Sequence, residues 1–314
     1  MQLTTHDLVR FRAAFQEGVR RYFQADNIGM VDIGYCIRGN RLTQEVGVRF
    51  HVHEKIPGLE SREGAVEEAI LDVPTDVIQA SYALRSIHTA SIKQAVNPRA
   101  LPMNPMRGGI SISDAYTRVG YGTLGGMVLD EETGEPMLLS NFHVMASRGY
   151  ARLGSPILQP GRGDGGEDIV AYFARHGMDR GIDAAVARLS GTRDIINDLF
   201  HIGRINGVRA PVLGMRICKS GRTSDVTHGM IVGIGALVKI TYPGSGLRPI
   251  RSVMNVVPIG GGSEVSEPGD SGSLWVDEET HAAVGLHFAG SDDPETALAI
   301  DMAAVLKTLH VTVA

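Results

Sequence analysis

Cysteine is nearly absent, with only Cys36 and Cys218 in 314 residues, and aromatic side chains make up just 5%. Two cysteines so far apart build no disulfide framework, so both are expected as buried thiols. No run approaches the ~18 consecutive apolar residues of a membrane span. A basic excess is missing too, since 30 Lys+Arg against 35 Asp+Glu leave a net charge of −5. Neither a membrane nor a nucleic-acid partner is therefore expected. The N-terminus, Met1-Gln2-Leu3-Thr4-Thr5-His6-Asp7, has no cationic stretch leading into an apolar core. It does not read as a secretory signal, which leads to the expectation of a cytoplasmic protein.

Glycine, by contrast, is abundant, with 39 residues beside 14 prolines; the usual glycine share is ~7%. Such a chain turns often and favours short strands over long helices. Thr5 as N-cap and Leu8, Phe11, Phe15, Val19 and Tyr22 at spacings of three and four predict an opening helix, packed on its own domain. Strands over 33–37 and 46–52 flank Gly39-Asn40, a hairpin signature; the charged stretch 60–68 is expected to be helical and 70–80 a strand. Proline and glycine cluster between Asn97 and Gly109, which marks a boundary near residue 105. Beyond it, strands are expected over 122–129, 168–173, 184–189, 230–240, 252–257 and 282–288, with a helix only at Met302, Val305, Leu306 and Leu309. Frequent strands without alternating helices fit a barrel or sandwich.

Three strings carry chemistry: Ser140-Asn141-Phe142-His143-Val144, Asp183-Ala184-Ala185-Val186 and Gly269-Asp270-Ser271-Gly272-Ser273. A serine hydroxyl is a weak nucleophile until an imidazole takes its proton, and the imidazole needs a carboxylate to fix its tautomer. Glycines beside Ser271 let the backbone aim the N–H groups of Gly269 and Ser271 at a developing oxyanion. An α/β-hydrolase would run serine, acid, histidine around a G-x-S-x-G elbow; here the order is histidine, aspartate, serine, and Ser273 stands at the fifth elbow position.

Residues 106–314 resemble the chymotrypsin-fold, trypsin-like serine peptidases in these three strings and their order. The resemblance implies a mainly β fold, a double six-stranded β-barrel with barrels at approximately 106–200 and 201–314, preceded by a small α+β domain over 1–105. It casts His143 as general base, Asp183 as its orienter, Ser271 as nucleophile, and Gly269 with Ser271 as oxyanion hole. Cys218-Lys219-Ser220-Gly221-Arg222-Thr223-Ser224 is similar to a strand and turn of secreted bacterial members, which usually have a second cysteine where His228 stands. The N-terminal strings Asp32-Ile33-Gly34-Tyr35-Cys36 and Asp72-Val73-Pro74-Thr75-Asp76 also resemble bacterial relatives of the plant Narrow-leaf-one protein. The implied activity is that of a serine endopeptidase needing no cofactor and acting on protein or peptide substrates; the alternative is a latent scaffold serving binding or assembly, with a homo-oligomer formed through the N-terminal domain.

For the substrate pocket, Gly285-Leu286-His287-Phe288 is similar to a string of glutamyl endopeptidases, which implies that His287 and Ser266 bind an acidic side chain. Val265, where trypsins carry an aspartate, offers a basic side chain no charge partner. A small or apolar preference competes with the acidic one, since Glu264 and Glu267 oppose a carboxylate guest.

Other patterns have blander readings. His51 and His53 share a strand face as a zinc pair would, but no third ligand follows at a characteristic spacing, so no metal is expected and both are read as solvent-facing. Gly161-Arg162-Gly163-Asp164-Gly165-Gly166 contains G-x-G-x-x-G, yet follows Pro160 and precedes a strand, so it reads as a surface loop; calcium at Asp164, Glu167 and Asp168 lacks EF-hand spacing. Arg107-Gly108-Gly109-Ile110 is similar to the activation site where trypsin-like zymogens are clipped to free an amine for Asp270, though a flexible junction would look the same.

Overall fold

The structure is a computed structural model and describes residues 4–39, 41–55, 65–84, 97–117, 120–147, 151–259 and 264–314. Helix α1 (Thr5–Tyr22) is capped by Thr4, one residue earlier than expected. The Thr4 hydroxyl accepts the Asp7 N–H, and the Asp7 carboxylate accepts the Thr4 N–H. Thr5 has Leu8 at the equivalent position, which cannot return that bond. The helix buries Phe11 and Ala14 against Val48, Phe50, Ile70 and Val73, so its apolar stripe faces its own sheet, as read.

That sheet begins with the expected hairpin of β1 (Ile28–Arg38) and β2 (Arg41–Val52), closing at Arg38 opposite Arg41. Asn40 of the expected turn lies outside the described residues, as do residues 60–64 of the expected charged helix; residues 65–68 are not helical. Then follow β3 (Ala69–Ile70), β4 (Val73–Gln79), which lies parallel to β2, and β5 (Ala83–Leu84).

The next strands are β6 (Met106–Gly108), β7 (Ser111–Asp114), β8 (Gly122–Thr123), β9 (Gly126–Asp130) and β10 (Pro136–Ser140). After the single turn of α2 (Phe142–Met145) come β11 (Pro156–Leu158), β12 (Ile169–His176), β13 (Ala185–Leu189) and β14 (Ile195–Leu199). β8 runs on into β9, so β7, β8/β9, β10, β13, β12 and β11 form a ring that returns to β7. Met106, Ile110, Leu138, Val170 and Phe173 belong to the apolar cluster of this first barrel.

The second barrel contains β15 (Arg216–Gly221), β16 (Asp225–Tyr242), β17 (Gly246–Pro258), β18 (Leu274–Asp277), β19 (Ala283–Asp292) and β20 (Glu295–Asp301). β15 pairs with both β18 and β16, which closes these six strands. Helix α3 (Met302–Leu309) matches the expected spacing, and β21 (Val311–Val313) then returns the tail to β9 of the first barrel. Between the barrels, Leu139 and Val186 of the first join Leu286, Phe288 and Ile300 of the second in one buried cluster.

The N-terminal sheet and the second barrel are continuous. β1 pairs antiparallel with the far half of β16, Met30 opposite Val238 and Gly34 opposite Gly233, which gives an 11-stranded sheet. Backbone donors and acceptors of a long protruding strand must be satisfied, and β1 does this here. Both cysteines are buried and free. Cys218 lies directly opposite His228, and burial pushes its thiol up to about 11. Among the described residues, no helix is long and apolar enough to cross a membrane.

Candidate active site

His143 sits on the one-turn helix α2, directly after β10. Asp183 follows a tight turn over Met178–Arg180 that ends on Gly181 at φ +69°, a backbone angle suited to glycine. The Asn141 amide donates to the Asp183 carbonyl at 2.7 Å, tying the two segments together. One carboxylate oxygen of Asp183 accepts the His143 backbone N–H at 3.1 Å, and the other meets His143 Nδ1 at 2.5 Å. The second oxygen also accepts the Tyr242 hydroxyl at 2.9 Å. Asp183 is fully buried and His143 nearly so. Nε2 of His143, the remaining ring nitrogen, has no hydrogen-bond partner among the described residues.

Ser271 lies between β17 and β18 and is wholly buried. Gly122 lies between the two segments: a Cβ there would stand 2.5 Å from Val144 of α2 and 3.0 Å from the Ser271 carbonyl oxygen. The Ser271 hydroxyl donates to the Phe288 carbonyl at 3.2 Å rather than to His143. The structure thus joins His143 to Asp183 directly and places α2 and the Ser271 loop on either side of Gly122.

Gly269 and Gly272 take φ of +107° and +99° around the serine. A side chain on Gly272 would collide with the Thr123 carbonyl, so the turn requires glycine there on two counts. Among the described residues, neither the Gly269 nor the Ser271 N–H, the two expected oxyanion donors, donates a hydrogen bond. Asp270 between them is buried and held from several sides. It accepts Lys219 Nζ at 2.8 Å, the Ser224 hydroxyl at 2.5 Å, and the N–H groups of Thr223, Ser224 and Glu267. Burial pushes its pKa up, but the Lys219 ammonium and these donors outweigh it and hold the carboxyl below its ordinary range.

The residues expected in the substrate pocket, Val265, Ser266 and His287, are all buried. Glu295 accepts the N–H groups of Val265 and Ser266. The Ser266 hydroxyl has no hydrogen-bond partner among the described residues, and the His287 ring stands edge-on to Trp275 at 6.3 Å.

Two other expectations change. Gly108-Gly109 is no flexible junction: Met106–Gly108 is strand, Gly109 N–H donates to Leu124 and Arg107 pairs with Asp198 at 2.8 Å. Lys219 already supplies Asp270 with the cation that a clipped terminus would bring. His51 is buried rather than solvent-facing, because Tyr82 covers it, whereas His53 is exposed. Asp164 is engaged by Arg222 and Ser111, and no group of three or more metal-ligating side chains forms among the described residues.

Sequence reasoning missed Tyr242 and Lys219. Lys219 stood inside a noted motif, yet nothing local marked it as a buried cation. Tyr242 gave no signal, lying 59 residues from Asp183.

Solved structures show what this geometry is similar to. A glutamic acid specific serine protease, described as using a histidine triad in substrate binding, superposes with a TM-score of 0.50 at 19% identity, over 67% of this chain and all of that one. The Nocardiopsis protease NAPase matches at 19% identity and TM-score 0.49 over 66% of this chain and 97% of its own. Cellulomonas bogoriensis chymotrypsin matches at 18% and 0.45, over 66% and 97%. No protein-family model and no curated protein matches. The chain has a mainly β, chymotrypsin-like fold. The resemblance to Narrow-leaf-one relatives receives no support from these comparisons.

Proposed function

We propose that the protein is a serine endopeptidase working through His143, Asp183 and Ser271. The observation that carries this reading is the buried His143–Asp183 pair, whose Nε2 has no hydrogen-bond partner among the described residues. In the reaction the Ser271 hydroxyl swings from the Phe288 carbonyl to His143 Nε2, gives up its proton there, and attacks a peptide carbonyl. The oxyanion meets the N–H groups of Gly269 and Ser271. Collapse expels the amine, which takes the proton from Nε2 and leaves an acyl ester on Ser271. Water, losing a proton to the same nitrogen, then frees the acid and restores the serine.

For the side chain before the cut, His287 and the unpartnered Ser266 hydroxyl support an acidic preference, and Val265 gives no anion to a basic one. Glu267 lies close in sequence; burial, and then the charge of Asp270, raise its pKa. The second reading is a latent or degenerate scaffold serving binding or assembly, in which the Ser271 hydroxyl would stay on the Phe288 carbonyl.

Labelling with a fluorophosphonate separates the two. The wild type is expected to be labelled and Ser271→Ala and His143→Ala are not; an unlabelled but folded wild type would sink the catalytic reading. A peptide library sorted by the residue before the cut then reads the preference, and cleavage after Lys or Arg would overturn the pocket assignment.

A further inference from the structure

One edge of β19 serves three neighbours in succession. At His287, the N–H donates to Ser273 and the carbonyl accepts Gly272, each at 2.9 Å. At Phe288, the carbonyl accepts the Ser271 hydroxyl. At Ala289 and Gly290, the antiparallel partners are Leu84 and Ala83 of β5. The opposite edge belongs to β20, with Ala289 facing Leu298 and Gly290 facing Ala297. β5 therefore continues the line of the nucleophile loop, although it belongs to the N-terminal segment.

A peptide that offers a carbonyl to Ser271 must lie extended beside it, and extended peptides dock by adding a strand to an available edge. The backbone groups next in line after Phe288 are those of Ala289 and Gly290, and β5 already holds them. β5 is also anchored from behind. The Tyr82 hydroxyl bonds His51 Nδ1 at 2.8 Å and accepts from Asn255 at 3.4 Å. His51 adjoins the buried Asp32–Arg49 pair, and Tyr82 and Leu84 pack on the cluster containing Phe288 and Ala289. Ser271 shows no exposed surface.

We propose that residues 82–84 form an intramolecular strap in the strand position of an extended peptide substrate, which must displace it to reach Ser271. This rests on the protease reading for its consequence, restrained cleavage, but the displacement is testable without catalysis.

The test uses the full chain with Ser271→Ala, with and without the double change Ala83→Pro and Leu84→Pro, which removes both strap N–H groups. The probe is a fluorescein-labelled acetyl-Ala-Ala-Glu-Ala peptide followed by anisotropy. The prolines are expected to tighten binding by about tenfold, the equivalent of roughly one backbone hydrogen bond no longer contested. Equal affinity, or no binding to either protein, overturns the proposal. Tyr82→Phe, which keeps the ring and loses the anchor hydroxyl, is expected to tighten binding less and stands in if the prolines prevent folding. Hydrogen exchange gives a second readout: the amides of Ala83 and Leu84 lose protection when the peptide binds, and amides that stay protected refute displacement. In proteins retaining Ser271, fluorophosphonate labelling without any effect of the prolines on affinity would sink the strap and keep the protease. An effect on affinity without labelling would do the reverse.

Discussion

Asp183 gathers donors from three parts of the chain: the His143 ring and backbone, and the Tyr242 hydroxyl from the end of β16. Burial, and then the adjacent Asp183 charge, keep the Tyr242 pKa well above its ordinary value, so the tyrosine remains a neutral donor throughout the working range. Its role is to position the carboxylate and share its charge. Tyr242→Phe keeps the ring and removes the donor to Asp183. The expected result is a fall of about tenfold in kcat/KM for peptide cleavage, with KM little changed. A lower melting temperature with kcat/KM unchanged would reduce Tyr242 to a packing residue. The candidate residues legible in the sequence, His143, Asp183 and Ser271, are those that stand in recognisable local strings. Lys219 and Tyr242 reach their partners across 51 and 59 residues, and no local pattern records that.

Among the elements, β16 carries most of the architecture. One part pairs with β15 to close a barrel, the far part receives β1, and its last residue reaches Asp183. Alternation and glycine punctuation made β1, β2, β9, β12, β13, β16, β17 and β19 readable, and spacing did so for α3, whereas β10, β11, β18 and β20 went unread. The β1–β16 seam was not readable either, because main-chain pairing between distant strands leaves no side-chain signature when both strands are buried. Gly34 marks the seam: a Cβ there would collide with the Arg49 guanidinium and the Val232 carbonyl. Gly34→Ala is expected to cost about 1–3 kcal/mol through overpacking. Urea unfolding followed by circular dichroism and by the fluorescence of Trp275, in the second barrel, should shift together. A Trp275 transition unmoved by the change would mean that the N-terminal sheet and the barrel unfold separately.

At the scale of the whole molecule, buried ion pairs tie stability to pH. At Asp32, burial raises the pKa, but the Arg49 charge outweighs it and brings the carboxyl to about 2, while Lys219 keeps Asp270 below its ordinary range. Unfolded, both carboxyls return to about 3.9. Below that value the unfolded chain takes up protons that the native state refuses, so stability is full above about pH 5 and declines as the pH falls towards 2. Urea midpoints at pH 7, 5 and 3 should show little change over the first interval and a clear loss over the second; equal midpoints throughout would contradict the pairing. By itself the sequence determined the β-rich class and the chain order of histidine, aspartate and serine, since alternation and tight-turn chemistry are local properties; the two barrels were expected from its resemblance to a known family. Only the tertiary structure decided that Lys219 holds Asp270, that Tyr242 holds Asp183, and that β5 lies against β19 beside Ser271. Those contacts join segments far apart in the chain, and their energies come from burial and backbone pairing that exist only once the sheets have closed.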